Sequence, residues 1–400
     1  MCVVFFCLML FVIGAGLSLE SCTAQQQELT LAGSETVQFH KPRNFYPKAT
    51  RLVNYWADSL HNREYFYFLD QSSNTLLYTA VDGGKRLAGT HELQQVSLRH
   101  LFYHTSYPIE AMGIFSLDSL IFVDGGAHAI CLTDAHGTIR QQWQPRTPIY
   151  GRMPYFIDTA LQPVYVHGSY LYLHCGPDSI GVISADSSTF HKFLTYNTGL
   201  VLNVRDTTFA NNKTGQFPSF LSAKNSFNIV FPQACVSPTG DYIFTYGPFS
   251  ELYRYSLNGD KQVLNAPSRY YRPARGLPFA KLSDRQALTD YKITEPEYGP
   301  LISDPFRHRY LRVYRHGLPA ALDQPLRPSY ADLPWSLLIL NSDLQVVGEV
   351  KFASTYDPRL ILATRRGILI GNRRPENTNY NPQQLSFQLF TYQLIKKTPL

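Results

Sequence analysis

Short apolar runs separated by polar turns recur along most of the chain. The clearest example lies in residues 110–144, where two strand-like pairs follow each other. The first pair is 111–115 and 120–124, and the second is 129–133 and 138–143. Four antiparallel strands in about 35 residues make one blade of a β-propeller. We therefore predict an all-β chain built from repeated blades.

The polar turn late in each repeat returns at a regular interval. Asp82, Asp134 and Asp186 are each 52 residues apart, and Asn258 and Asn341 follow after 72 and 83 residues. A fixed interval is typical of propeller blades, whereas a sandwich needs none. The two longer intervals predict insertions, which we expect near residues 195–225, 266–301 and 317–334.

Six repeats can be counted, with seven blades as the alternative. The last repeat supplies three strands, and residues 36–40 (TVQFH) would provide its fourth. A ring closed in this way by strands from both termini leaves no open blade edge. We predict a signal peptide over residues 1–21, a flexible tether over 22–35 and a single propeller domain over 36–400.

Composition supports strands and argues against a nucleic-acid partner. Aromatic residues make up 14 % of the chain and hydrophobic residues 44 %, and aromatic residues favour strands. The net charge of +6 is spread along the sequence. A nucleic-acid binder would concentrate such charge in a dense stripe of Lys and Arg.

The amino-terminal segment predicts the compartment. Residues 3–19 are almost wholly apolar and lead through Glu20 to Cys22. A run of this length before a polar chain predicts a secretory leader. Cys22 resembles the lipidated cysteine of a bacterial lipobox, so we expect cleavage before it. Glu20 is unusual in a lipobox and no Lys or Arg precedes Lys41, so plain secretion and an uncleaved anchor stay open.

Known catalytic and metal-binding motifs are absent from the sequence. It contains no G-x-S-x-G elbow and no P-loop, and its Cys and His residues lack the spacing of a zinc site. His100 and His104 are four residues apart without a nearby Glu, and Asp124 and His128 flank a glycine pair. We expect these four residues in turns, and Cys131, Cys175 and Cys235 as small apolar side chains. We predict no cofactor, no metal and no catalytic residue.

The second insertion contains a cluster of arginine and tyrosine in residues 268–275 (SRYYRPAR). Arg and Tyr together are enriched at binding surfaces. The alternative is that the tyrosines cover a neighbouring blade and the arginines are solvated. Arg312, which lies between two tyrosines on a predicted strand, would line the channel or sit between blades. The predicted binding residues are Tyr270, Tyr271, Arg272, Arg275 and Arg312.

The leader with Cys22, the repeated blades and residues 304–312 (DPFRHRYLR) resemble a family of exported lipoproteins from Bacteroidetes-type bacteria. Some members of that family are described as six-bladed or TolB-like propellers, so the resemblance implies a six-bladed propeller. The resemblance covers nearly the whole chain, and its motifs carry no named chemistry. It implies a fold and a compartment and no particular activity.

Three functional classes remain open. The favoured hypothesis is a lipid-anchored, periplasm-facing monomer that binds a peptide, glycan or protein partner. The alternative is a hydrolase or lyase whose site is assembled at the central channel, and a third is a sensor or assembly component of the envelope. Histidine and carboxylate groups converging in the channel would favour the enzyme.

Overall fold

Strand β3 (Arg63–Asp70) is buried along nearly its whole length. Phe66 and Phe68 pack in one apolar cluster with Phe39, whereas Tyr65 and Tyr67 pack in another. Successive side chains of a strand point to opposite faces of its sheet. Both faces of this sheet are therefore covered by neighbouring sheets, which is the arrangement of blades in a propeller.

The computed structural model describes most of the repeat region. The described residues are 27–41, 50–70, 73–101, 109, 111–124, 129–144, 155–156, 164–176, 197–218, 225–226, 232–281, 284–318, 328–372 and 384–396. Predictions for Cys22, His104, His128 and Asp186 lie outside them.

Six sheets form the blades, in agreement with the prediction. Blade 1 contains β2 (Thr50–Asp58), β3, β4 (Thr75–Asp82) and β6 (Gln94–Ser97). Blade 2 contains β7 (Ala111–Ser116), β8 (Ser119–Asp124), β9 (Ala129–Thr133) and β10 (Ile139–Trp143). Blade 3 contains β11 (Tyr155–Phe156), β12 (Tyr165–His167), β13 (Tyr170–Gly176), β14 (Asn197–Asn203) and β15 (Phe209–Gln216).

The second half of the ring follows the same order. Blade 4 contains β17 (Gln233–Val236), β18 (Tyr242–Thr245), β19 (Glu251–Tyr255) and β20 (Lys261–Asn265). Blade 5 contains β22 (Glu297–Asp304), β23 (Arg309–Arg315), β24 (Trp335–Leu340) and β25 (Val346–Phe352). Blade 6 contains β26 (Tyr356–Thr364), β27 (Gly367–Asn372), β28 (Gln384–Lys396), β1 (Gln27–His40) and β5 (Gly89–Glu92). A separate two-stranded ribbon pairs β16 (Asn225–Ser226) with β21 (Leu277–Pro278).

Strands from both ends of the chain close the ring, as predicted. Strand β1 pairs antiparallel with β28 over almost its entire length, from Gln27 opposite Lys396 to His40 opposite Gln384. The expected tether is corrected in part, because residues 27–35 form the first half of β1 rather than a flexible segment. Their partner strand lies at the far end of the sequence, so the local pattern does not reveal the pairing.

The first half of the β1–β28 ribbon reaches across the outside of blade 5. Gly348 of β25 lies so close to Leu29 that a Cβ atom there would collide with the Leu29 carbonyl oxygen. Beside this contact, Glu28 forms an ion pair with Arg269 of the second insertion. The ribbon thus ties blades 5 and 6 together from the outside.

Each of the six main apolar clusters among the described residues joins two neighbouring blades. Leu171 of blade 3 and Ile121 of blade 2 share one cluster, for example, and Tyr172 and Phe244 join blade 3 to blade 4. Burial between blades accounts for the near-continuous apolar runs, because both faces of each inner strand need apolar side chains. A small seventh cluster pairs Ile293 of the second insertion with Leu333 of the third.

Antiparallel strands place the connections of each blade on two opposite faces. Turns between the first and second strands, and between the third and fourth, lie on one face, which we call the turn face. Loops between the second and third strands, and between blades, lie on the opposite loop face. The connections between β13 and β14, between β20 and β22 and between β23 and β24 join strands on the loop face, where partners of a propeller can dock.

Two of the expected insertions have different limits in the structure. Residues 197–203 and 209–216 are β14 and β15, so the long connection of blade 3 precedes them at 177–196. Residues 297–301 belong to β22, so the second insertion ends before Glu297. It contains helix α1 (Arg285–Thr294), whose first turn is capped by the Asp284 carboxylate accepting from two backbone N–H groups.

The turn that sets the repeat phase in blade 3 is centred on Asp206, not on Asp186. The Asp206 carboxylate accepts hydrogen bonds from the backbone N–H and the hydroxyl of Thr208 between β14 and β15. Asp134 and Asn341 hold the equivalent turns of blades 2 and 5 in the same way. The prediction used Asp186 because the residues around it also have the composition of a turn. The insertion before β14 moves the turn of this blade from the expected 52-residue interval to Asp206.

Candidate functional site

The innermost strands of all six blades enclose a central channel of about 470 Å³. A cavity of this size can hold a small organic molecule or the end of a chain. Its wall combines aromatic, amide, hydroxyl and apolar side chains. Representative residues from the six blades are Trp56, Ile114, His167, Gln233, Phe306 and Arg365.

The described channel lining contains no Asp or Glu, whereas it contains two arginines, Arg359 and Arg365. Arg359 is paired with a carboxylate, since its Nε and Nη2 donate to Asp357 Oδ1 and Oδ2 over 2.9 and 2.8 Å. Burial alone would raise the pKa of Asp357, but the hydrogen bonds and charge of Arg359 bring it below its ordinary value. The Arg359 charge is therefore largely neutralised.

Arg365 lies in the turn between β26 and β27, at the turn-face end of the channel. Its Nη2 donates to the Ser59 hydroxyl over 2.5 Å, and its backbone N–H donates to the Tyr55 hydroxyl over 3.2 Å. No described carboxylate forms an ion pair with this guanidinium. Phe306 packs edge-on against Tyr55, with ring centroids 5.7 Å apart, and completes the wall beside it.

The neighbouring Arg366 has a structural role. Its Nε donates to Glu64 over 2.8 Å, and its Nη2 donates to the Asp82 and Gly83 carbonyls over 3.1 Å. These bonds fasten blade 6 to blade 1. Adjacent arginines thus differ: Arg366 is fully engaged by protein acceptors, while Arg365 points into the channel.

The predicted arginine–tyrosine cluster lies on the loop face beside blade 5. Tyr270 and Tyr271 are 44 % and 36 % exposed. Tyr271 stacks on Tyr298 with ring centroids 6.1 Å apart, and Tyr270 contacts His316 at 4.9 Å. The two rings therefore cover blade 5 with one side and meet solvent with the other.

The arginines of that cluster are held by acceptors around the end of helix α1. Arg272 donates to the Thr294 carbonyl over 2.5 Å, and Arg275 donates twice to Glu295 over 3.0 and 3.2 Å. Arg269 bonds to Glu349 of β25 through its backbone N–H over 2.7 Å. These bonds make the cluster a joint between the insertion and blade 5, although the Arg275 side chain remains largely exposed.

Arg312 is wholly buried between blades 4 and 5, so its assignment as a binding residue is corrected. Its guanidinium donates to the carbonyls of Ser250 and Phe249 over 2.6 and 2.7 Å, and also to the Thr245 hydroxyl. Burial lowers its pKa to about 10. The sequence left two positions open for this arginine, in the channel or between blades, and its burial confirms the position between blades.

The other sequence candidates do not come together. The His100 ring bonds to the Gly137 carbonyl over 2.7 Å, and Cys131 and Cys235 are buried. Burial lowers the pKa of His174 to about 4. Within the described ranges, no group of three or more His, Cys, Asp and Glu side chains could hold a metal ion.

Sequence reasoning missed the channel site around Arg365. One signal was available: the turn 365–366 joins two strands directly, and such turns normally contain Asn, Asp or Gly. Two arginines in that place indicate a role beyond the turn itself. The other lining residues, Ser59, Trp56 and Phe306, are brought together only by closure of the ring.

Comparison with solved structures supports the fold. A member of the DUF4221 family from Bacteroides vulgatus is 15 % identical, with a TM-score of 0.72, over 92 % of this chain and 99 % of that one. The likeness shows the propeller fold alone.

Two other solved propellers are less similar. A Bacteroides fragilis protein with a provisional name as an exported protein is 9 % identical over 96 % of this chain and 98 % of that one, with a TM-score of 0.48. Virginiamycin B lyase from Staphylococcus aureus is 10 % identical over 90 % and 99 %, with a TM-score of 0.41. No protein-family model and no curated protein sequence matches the chain.

Proposed function

We propose that this protein is an exported propeller that acts as a binding module, with its ligand site in the central channel. The observation that carries the proposal is the lining: six strands contribute aromatic, amide and hydroxyl groups around one cavity of about 470 Å³. Such a mixture gives apolar contact and a few oriented hydrogen bonds, which is typical of ligand pockets. A peptide end, a glycan or a small molecule would fit this description.

Binding agrees better with the lining than catalysis does. A hydrolase or lyase needs an acid–base pair, for example histidine with a carboxylate, within hydrogen-bond reach of its substrate. The lining residues that the structure describes include His167 and neither Asp nor Glu. The hydroxyl, amide and guanidinium groups there can orient a ligand by hydrogen bonds.

Trp56 provides a direct test, because it lines the channel while Trp143 and Trp335 are buried in their blades. Peptide and oligosaccharide libraries would be screened by calorimetry and by tryptophan fluorescence. A channel ligand should change the emission of the wild-type protein and leave that of Trp56→Phe unchanged, while both proteins still bind it by calorimetry. If a ligand changes the fluorescence of Trp56→Phe as it does that of the wild type, its binding site lies outside the channel.

We further propose that the chain is anchored to the membrane through lipid on Cys22 and faces the periplasm as a monomer. The apolar leader and the lipobox-like Cys22 support the anchor. None of the helices in the part of the chain that the structure describes is long and apolar enough to span a membrane. Since β1 begins at Gln27, the segment after Cys22 would extend at most about 18 Å, at ~3.5 Å per residue.

Metabolic labelling with a fatty-acid analogue tests the anchor. The wild-type chain should be labelled and membrane-bound, and Cys22→Ala should lose both properties. Cys131→Ala removes a buried thiol instead and should be labelled like the wild type. Equal labelling of all three chains would contradict the proposal.

A further inference from the structure

We propose that the channel recognises an organic anion, with a carboxylate or phosphate group held by Arg365 and Ser59 at the turn-face end. This inference rests on the proposed binding function and specifies the class of its ligand. It starts from the difference between Arg365 and Arg359, the other arginine of the described lining.

Several described carboxylates on the turn face already have cationic or imidazole partners. Glu64 pairs with Arg366 at 2.8 Å, while at the opposite end of β26 Asp357 pairs with Arg359 at 2.8 Å. Asp304 accepts from Arg307 at 3.2 Å, and Asp58 contacts the His61 ring at 2.6 Å. Of the two arginines in the described lining, Arg365 is the one whose guanidinium has no carboxylate partner among these pairs.

The position of Arg365 is fixed before any ligand arrives. Its turn is closed by the Thr364 hydroxyl, which donates to the Gly367 carbonyl over 2.9 Å. Its backbone N–H is bound by Tyr55, and one guanidinium N–H by Ser59. A guanidinium has five N–H donors. The described residues therefore leave most of them available, and they match the two oxygens of a carboxylate or the three of a phosphate.

The surroundings strengthen the charge and favour an organic ligand. A cavity with apolar walls screens charge less than water does, so an unpaired guanidinium attracts anions more strongly there. Phe306 is 37 % exposed beside Arg365, and Trp56 and Ile302 continue the wall inward. These groups would contact the apolar body of a ligand whose acidic end reaches Arg365.

The test compares probes that share a ring and differ in charge. Benzoate, phenyl phosphate and benzamide would be titrated to 20 mM into the full-length protein in detergent, with Trp56 fluorescence and calorimetry as readouts. Both anions should bind at least about tenfold more tightly than benzamide, as expected for charge-assisted hydrogen bonds. The two anions separate a carboxylate site from a phosphate site.

Substitutions at Arg365 should remove this preference. Arg365→Gln should weaken anion binding by about tenfold or more and leave benzamide unchanged, while Arg365→Lys should retain part of the effect. Arg140→Gln makes the same charge change on the exposed outer strand β10 and should behave like the wild type. Equal binding of acid and amide, or anion binding unaffected by Arg365→Gln, would overturn the inference and leave the channel function standing.

A measurement on the wild-type fold covers the case in which Arg365→Gln does not fold. Iodide is an anionic quencher of tryptophan fluorescence and caesium is a cationic one. The quenching of Trp56 is obtained as the difference between the wild-type protein and Trp56→Phe. Relative to the quenching of free N-acetyltryptophanamide by each ion, iodide should quench Trp56 more than caesium does. Equal relative quenching by the two ions, or the absence of any Trp56-dependent probe binding up to 20 mM, would also overturn the inference. In that case the peptide and glycan screen described above still tests the proposed binding function separately from the anion preference.

Discussion

The guanidinium of Arg312 lies 3.6 Å from the ring centroid of Tyr298, and both side chains are buried where blade 4 meets blade 5. The same guanidinium donates to carbonyl oxygens at the loop-face end of blade 4, including Ser250 and Ala266. A single side chain from β23 thereby forms several buried hydrogen bonds to the neighbouring blade.

Arg312→Ala is expected to destabilise the protein by about 3–5 kcal/mol, because it removes several buried hydrogen bonds to blade 4 and the packing against Tyr298. Arg312→Lys keeps the charge but lacks the forked geometry, so we expect a smaller but clear loss. Chemical denaturation measures both free energies of unfolding. Arg140→Ala, on the exposed strand β10, is the control and should stay near the wild type. A similar midpoint for Arg312→Ala and Arg140→Ala would contradict this role.

Ring closure makes a second prediction. Phe39 of β1 is fully buried and packs against Phe66, Phe68 and Phe387 with ring centroids 5.0–5.7 Å apart. Phe39→Ala should cost about 3–5 kcal/mol, as large core truncations do. Leu394 lies on the partner strand of the same ribbon and is 65 % exposed, so Leu394→Ala should change stability little. Melting curves that move equally for both variants would mean that closure by β1 adds little stability.

The sequence predicted the blades well where strand, turn and burial signals coincide. In residues 111–143 the predicted strands agree with β7–β10 within one residue, because Asp134 marks a tight turn between two apolar runs. The prediction failed where a strand pairs with another that is distant in the sequence. Residues 27–35 are weakly patterned, and only β28, at the other end of the chain, makes them a strand.

The candidate site was less predictable than the fold. Arg365, Ser59 and Phe306 lie on three different blades, and no local pattern joins them. The arginine–tyrosine cluster was conspicuous in the sequence. Its arginines bind Glu295 and Glu349, which lie far along the chain from the cluster, and no sequence pattern predicts these pairs. Composition identifies unusual residues, but only the closed ring decides which of them keep free hydrogen-bonding groups.

That cluster makes the third prediction. The double substitution Tyr271→Ala and Arg272→Ala removes a stacking contact with Tyr298 and the hydrogen bond to the Thr294 carbonyl. We expect a loss of about 1–3 kcal/mol and a lower melting midpoint. Arg285→Ala, at the exposed start of α1 in the same insertion, is the matched control. A double variant with wild-type stability and weakened capture of an envelope partner would restore the binding interpretation of the cluster.

The last prediction concerns acid sensitivity through His316. Its ring bonds to the buried Ser336 hydroxyl over 2.7 Å and contacts Tyr314 and Tyr270. Burial, aided by the charge of Lys351, lowers the pKa of His316 to about 4. The ordinary value is about 6.5, so between these limits the unfolded chain binds a proton that the folded chain does not. Stability should therefore fall as the pH falls from about 6.5 towards 4.

Denaturation at pH 4.5 to 7 measures this dependence. Carboxylates also titrate at the lower end of this range, so the contribution of His316 is taken from the difference in slope between the wild type and His316→Gln. His316→Gln removes one of the contributing protons and should flatten the slope of unfolding free energy against pH, although its absolute stability can be lower. His174, whose pKa burial also lowers to about 4, should give a second and separate flattening in His174→Gln. His136→Gln changes an exposed turn residue and serves as the control. If the His316→Gln slope equals that of the wild type, the imidazole is not kept neutral by the fold, and the acid sensitivity has another origin.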